Sequence, residues 1–355
     1  MVRTRAAGIF LTPLLCAVPL GGQERLEIVS GEGRVVLEGI EWALVEEILA
    51  VNHEERLIYV GDLGDPFAIL ALSLEDGSMR GRYGGGEGDG PGELRRLAAV
   101  AAAPDGVLVS DGGRVNHWDA AGNLLSIWQP GASTVTALCS LAGEPAAALF
   151  DGVIRRSPDG GGIRFGSRLA SSESPATDRE GQIGAQEFME FATAHIACMG
   201  GVAYVQMGNR LLAHRPEGLT SEIRIPPPLA QDAAARRPPP DSRRLVPWYG
   251  SLSTNGRGRL VLGQFPRRGH EVVGAVFDPL SGCYSLIEDR GDRLVSRRFM
   301  GVHADSAIIY GRHTRSREVE GRTMNYAEAL AYQIALHPLR RVSGEPCPPP
   351  PGSSR

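Results

Sequence analysis

The sequence predicts an all-β fold of repeated four-stranded antiparallel units, and three observations carry that expectation. Residues 57–84 (LIYVGDLGDPFAILALSLEDGSMRGRYG) and 107–131 (VLVSDGGRVNHWDAAGNLLSIWQPG) spell one phrase twice. Each runs apolar strand, Asp, short loop, strand, tight turn at a Gly, strand. Asp62 and Asp111 stand 49 positions apart, and the turn glycines Gly77 and Gly122 stand 45 apart. A period of this length, filled with strands rather than helices, marks the blades of a β-propeller.

The same rhythm places six blades. Second strands read as LIYVGD (57–62), GVLVSD (106–111), AAALFD (146–151), VAYVQ (202–206), RLVLGQ (259–264) and AIIYGR (307–312). Third strands follow as AILALSL, RVNHWD, GVIRRS, RLLAHR, VVGAVFD and ALAYQIALH, most with the alternation of half-buried strands. Gly turns at Gly77, Gly122, Gly160, Gly218 and Gly282 separate third from fourth strands, because Gly takes positive φ without a Cβ penalty. The ring must close, since an open one exposes two sheet edges. The last third strand ends near Leu339, so the sixth blade lacks its outer strand. RLEIVS (25–30) is expected to supply it, with VVLEGI (35–40) as the alternative. Deleting 24–40 should then destabilise the whole ring.

Two segments break the period. IPPPLAQDAAARRPPPDSRRLVP (225–247) is too rich in proline for a central strand and reads as an extended surface insertion. SSESPATDREGQIGAQEFMEF (171–191) is a second long connection, with a short helix expected at its end. The domain plan is a signal peptide over 1–22, a propeller over 23–341 and an unstructured Pro-rich tail over 342–355.

The N-terminus reads as an export signal. Arg3 and Arg5 precede the apolar run 6–20, which is short for a bilayer span, and Gly21-Gly22 offer small residues before a cleavage point. Cys16 lacks the small preceding residue of a lipid-anchor motif. The expected location is secreted or periplasmic. Four cysteines follow: Cys139, Cys198, Cys283 and Cys347. Export permits disulfides, and three connectivities stay open. Cys347 lies in the Pro-rich tail, which counts against a full set of two bridges. No CxxC supports a zinc ribbon or a redox motif.

Of 355 residues, 42% are hydrophobic and 22% charged, enough for a core and not a composition of disorder. The net charge of −4 carries no nucleic-acid footprint. All 37 basic residues are arginine, so Schiff-base and P-loop lysine chemistry is excluded.

GGGEGDGPGEL (84–94) is the sharpest local motif. It lacks the Gly-Lys-Ser/Thr of a Walker loop, and Pro91 rather than a helix follows the glycines. The spacing of an EF-hand fails. The loop reads as a sharp crossover between blades one and two, with Glu87 and Asp89 as the groups that could hold Ca²⁺; no other cofactor is expected. This loop, with the strand and APDGVLVSD that follow, resembles NHL-type propellers, most closely the secreted bacterial six-bladed β-propeller proteins. The resemblance is strong over 57–131, and elsewhere rests on strand rhythm. It implies a six-bladed propeller and a family of binding scaffolds with scattered enzymes, among which fold analogy cannot choose.

Chemistry-bearing candidates are sparse. Asp62, Asp111 and Asp151 recur at second-strand ends, where an Asp caps loop N–H groups. The equivalent positions Gln206, Gln264 and Arg312 break any carboxylate ring. His195 and His303 sit on expected inner strands facing a central channel, and His53 lies just past one. A channel histidine suits acid–base or metal work near neutral pH. Glu46 and Glu47 begin the first inner strand, and Arg95 and Arg96 take the matching place in blade two. Together they suggest a mixed-charge pore mouth for a small anion or a peptide. Trp42, Trp118 and Trp128 read as core, and Trp248-Tyr249 as a contact surface after the proline insertion. No GxSxG or catalytic cysteine signature occurs. The expected function is a non-catalytic binding module for a protein, peptide or glycan partner, with no nucleic-acid partner and no membrane span. The competing reading is a metal-dependent lyase or lactonase-like hydrolase at the channel mouth.

Overall fold

The computed structural model describes residues 24–39, 44–62, 68–131, 135, 137–149, 152–165, 194–207, 210–216, 218, 220–235, 249–264, 271–290, 296–314, 318–319, 322–323 and 330–349. Two strands open the chain, β1 (Glu24–Ile28) and β2 (Arg34–Gly39). Sheet I follows as β3 (Leu44–Asn52), β4 (Leu57–Asp62), β5 (Ala68–Ser73) and β6 (Met79–Tyr83). Sheet II is β7 (Leu97–Ala103), β8 (Gly106–Asp111), β9 (Arg114–Asp119) and β10 (Leu124–Trp128). Sheet III is β11 (Ala137–Leu141), β12 (Glu144–Leu149), β13 (Gly152–Arg156) and β14 (Gly162–Phe165). Sheet IV is β15 (His195–Met199), β16 (Val202–Met207), β17 (Arg210–His214) and β18 (Thr220–Glu222). All four are antiparallel meanders.

Nine of the remaining eleven strands form one sheet. Within it, sheet V is the meander β19 (Tyr249–Thr254), β20 (Leu260–Gln264), β21 (Val272–Phe277) and β22 (Tyr284–Glu288). Sheet VI contains β23 (Ser296–His303) and β24 (Ser306–Thr314); a small hairpin of β25 (Glu318–Val319) and β26 (Arg322–Thr323) intervenes before its third strand, β27 (Leu330–Ser343). The outer strand of sheet VI comes from the other end of the sequence. β2 pairs antiparallel with β27, Arg34 opposite Leu336 and Gly39 opposite Tyr332. β1 continues along the far half of β27 and also pairs in parallel with β22, joining V to VI. Both candidate segments thus pair with β27, VVLEGI along its first half and RLEIVS along its far half. β27 is long enough to take two partners in succession, and β2 meets it first.

Second strands read as unbroken apolar runs because both faces are buried, as expected for strands sandwiched between neighbouring sheets. Val107 and Val109 of β8 pack toward sheet I with Tyr59 and Trp118, while Leu108 packs toward sheet III with Ala147 and Ile154. Similar clusters lie between III and IV, IV and V, and V and VI. One further cluster joins the last sheet to the first: Met300, Ile308, Ile334 and Leu336, with Val36 and Leu37 of β2, against Ile58, Val60, Leu70 and Leu72. At this seam Gly77 has φ +73°, and a Cβ there would lie 2.2 Å from the Val36 carbonyl oxygen. The turn glycine serves the β2 approach as well as its own turn. The fold is all-β and propeller-like.

Two sequence expectations give way here. Residues 227–235 of the proline-rich insertion form a helix, α1 (Pro227–Ala235). Proline is tolerated in a first helical turn, where N–H groups lack intrahelical partners, and an Ala-rich stretch follows. Leu229 on α1 and the preceding Ile225 are buried in the IV–V cluster. The chain from 342 is also not all free: β27 runs to Ser343, and Cys347 is bridged to Cys283. Cys139 and Cys198 form the second bridge, between the first strands of sheets III and IV. Both bridges are therefore present, and the tail is held through one of them. Residues 1–23 and 350–355 lie outside the described residues.

Candidate functional site

In an antiparallel meander successive turns alternate between two ends. Connections from first to second and from third to fourth strands gather at one end. They are short: 53–56, 74–78, 104–105, 120–123, 142–143, 157–161, 200–201, 215–219, 255–259, 278–283 and 304–305. The second-to-third connections and the links between sheets belong to the other end. They include the Gly-rich loop and α1 with the residues leading into it; the connection 171–191 lies outside the described residues. The links between sheets, rather than short second-to-third connections such as 112–113, set this end apart, and connecting loops are where binding groups concentrate.

The Gly-rich loop is a built object. Gly85 N–H donates to Gly92 O at 2.7 Å, Leu94 N–H to Gly86 O at 2.8 Å, and Gly90 N–H to the Glu93 carboxylate at 2.7 Å. The carbonyls of Gly88, Asp89 and Glu93 converge on the guanidinium of Arg114, at 3.4, 2.9 and 2.7 Å. Arg114 also pairs with the buried Asp111 at 2.7 Å. Asp111 in turn accepts the backbone N–H groups of Arg95 and Arg96, at 2.9 and 2.8 Å. Where a Ca²⁺ loop gathers carbonyl oxygens around a metal, this one gathers them around an arginine. Asp89 ion-pairs with Arg95, and Asp111 caps N–H groups as its position suggests. Arg114 was not singled out from sequence; its signal was a cation three residues after a strand-end Asp.

The expected pore-mouth arginines precede β7 and extend outward. Arg95 is about two-thirds exposed, and Arg96 is exposed with no side-chain partner among the described residues. Glu46 and Glu47 fall in β3 where its register to β4 shifts, and their side chains lie outside the described residues. Trp42, Asp151 and Trp248 also lie outside them. Trp118 and Trp128 are buried.

The two channel histidines are not brought together. His195 opens its strand opposite Gln206, whereas His303 closes its own opposite Ser306. Burial, and secondarily the charge of Arg298, push His195 down to about 4, so its imidazole is neutral at pH 7. Arg298 belongs to β23 of sheet VI. An arginine within an inner strand was the overlooked sequence signal. His303 instead stacks on His53, rings 5.4 Å apart and Nδ1 to Nδ1 3.2 Å. His53 Nε2–H donates to Thr254 O at 2.8 Å, so its Nδ1 is bare and accepts the Nδ1–H of His303. Burial, against the pull of the Thr254 carbonyl, pushes His53 down to about 4. His303 is lowered by burial and by the charges of Arg56 and Arg257. This pair holds sheets I, V and VI together at the tight-turn end.

Among the described residues no group of three or more His, Cys, Asp or Glu side chains is placed to hold a metal ion. No helix among them is long and apolar enough to cross a membrane. No protein-family model and no curated protein sequence matches this chain.

Proposed function

We propose that this chain is an exported six-bladed β-propeller, closed by β2 in the outer position of sheet VI, that binds a protein, peptide or glycan partner at its long-connection end. The closed ring is supported by the chain of hydrophobic clusters that runs from sheet to sheet and ends by packing VI on I. Kinship with NHL-type propellers is supported by the motif over 57–131. Export is supported by the two disulfides, which persist in oxidising compartments. The binding reading rests on one observation: the Gly-rich loop and α1 belong to the same end of the sheets, where Arg96 is exposed with no side-chain partner among the described residues, beside an internally braced glycine loop.

The test is a screen of the purified protein against immobilised peptide and glycan libraries. Ligands are expected that lose binding in a variant combining Arg96→Ala with a Gly-Ser replacement of 236–248, and keep it when the 278–282 turn is altered. Equal loss from both variants, or turnover of lactone or glycan substrates, would overturn the reading.

A further inference from the structure

A cavity of about 250 Å³ opens at the tight-turn end, between sheets V and VI, with β1 as one wall. It is independent of the proposed binding end. Three arginines line it, Arg257, Arg259 and Arg341, against two carboxylates, Glu24 and Asp305. Glu24 is spoken for: Arg341 Nε donates to it at 2.8 Å and Ser285 Oγ at 2.6 Å. Asp305 pairs with Arg257 at 3.1 Å, but both side chains are mostly exposed, and such pairs exchange readily. Arg259 differs. Its Nη2 donates to the carbonyls of Cys347 and Pro348, at 2.8 and 2.6 Å, and its buried Nε has no acceptor among the described residues. Neutral carbonyls orient a guanidinium without cancelling its charge. The bridge Cys283–Cys347 tethers those carbonyls, and Asn255 Oδ1 accepts the N–H groups of both Arg257 and Arg259, fixing their turn. This cation, with no carboxylate paired to it among the described residues, is thus held in place before any ligand arrives, which lowers the cost of binding.

The other wall is apolar: Leu26, Val276, Val302 and Leu339 face the same space. The volume holds roughly eight waters at about 30 Å³ each, too little for a nucleotide. We infer that this cavity binds a short-chain aliphatic carboxylate, with its head on Arg259 and Arg257 and its chain on the apolar wall.

The experiment is methyl-detected NMR titration of the full disulfide-bonded protein with acetate, butyrate, neutral butyramide and inorganic phosphate. Butyrate should shift the methyls of Leu26, Val276, Val302 and Leu339, and bind more tightly than acetate by roughly fourfold per added methylene. Butyramide and phosphate should bind at least tenfold more weakly. Arg259→Gln should abolish the shifts. Arg257→Ala, at an exposed site that leaves folding intact, should weaken binding severalfold. Phosphate or acetate binding as well as butyrate would reduce the site to a general cation patch and overturn the inference. So would silent methyls in the wild-type protein, or butyrate shifts that survive both substitutions.

Discussion

At the scale of single residues, three desolvated histidines make stability depend on pH. His53, His195 and His214 are each lowered to about 4, chiefly by burial. In the unfolded chain they take protons near the ordinary value of about 6.5. Between those values the unfolded state binds more protons than the folded one, so stability rises with pH across that window. Acidification from about 6.5 toward 4 should therefore lower the urea midpoint progressively, with little change between pH 7 and 8. A midpoint constant from pH 7 to 4.5 would show that these rings are not held neutral. Within the sequence each histidine was visible, but not its neighbour. His53 and His303 are 250 positions apart, and no local pattern announces that they stack. Arg298 and Arg259 were overlooked for the same reason, since their surroundings come from other sheets or from the tail.

At the scale of elements, the Gly-rich loop is braced by one side chain. Arg114 spans three loop carbonyls and a buried carboxylate, a geometry suited to a planar guanidinium. Arg114→Ala should cost on the order of 3 kcal/mol in urea unfolding, since Asp111 loses its buried counter-ion. Arg114→Lys should recover only part of it, because an ammonium cannot reach all four groups. Equal stability of all three proteins would remove the brace. Strands were the most legible elements: the second and third strands of each sheet fall close to where apolar runs and turn glycines placed them. The outer partners of β27 were not. RLEI and VVLEG both read as strands, and only the length of β27 decides that each finds a place on it. The α1 helix was hidden by its prolines, although a proline leading an Ala-rich run is a helix-start signal. The tail was misread because proline density says nothing of the disulfide that holds it.

At the scale of the whole molecule, strand pairing links β1 and β2 to β27 near the other end of the sequence. β2 completes sheet VI, its Val36 and Leu37 enter the seam with sheet I, and Gly77 of sheet I accommodates its backbone. The proposed ring would then stand or fall as one unit, because in it each sheet has a neighbour on both faces. The site was less legible than the sheets. Repetition reveals architecture, since each blade repeats the same burial problem, whereas a binding end is defined by the connections that differ. The most direct measurement is hydrogen exchange by mass spectrometry on a variant lacking residues 24–39, beside the full-length protein. The account predicts that protection collapses together in sheets I to VI; retained protection in sheets I to V, with fraying confined to VI, would contradict it.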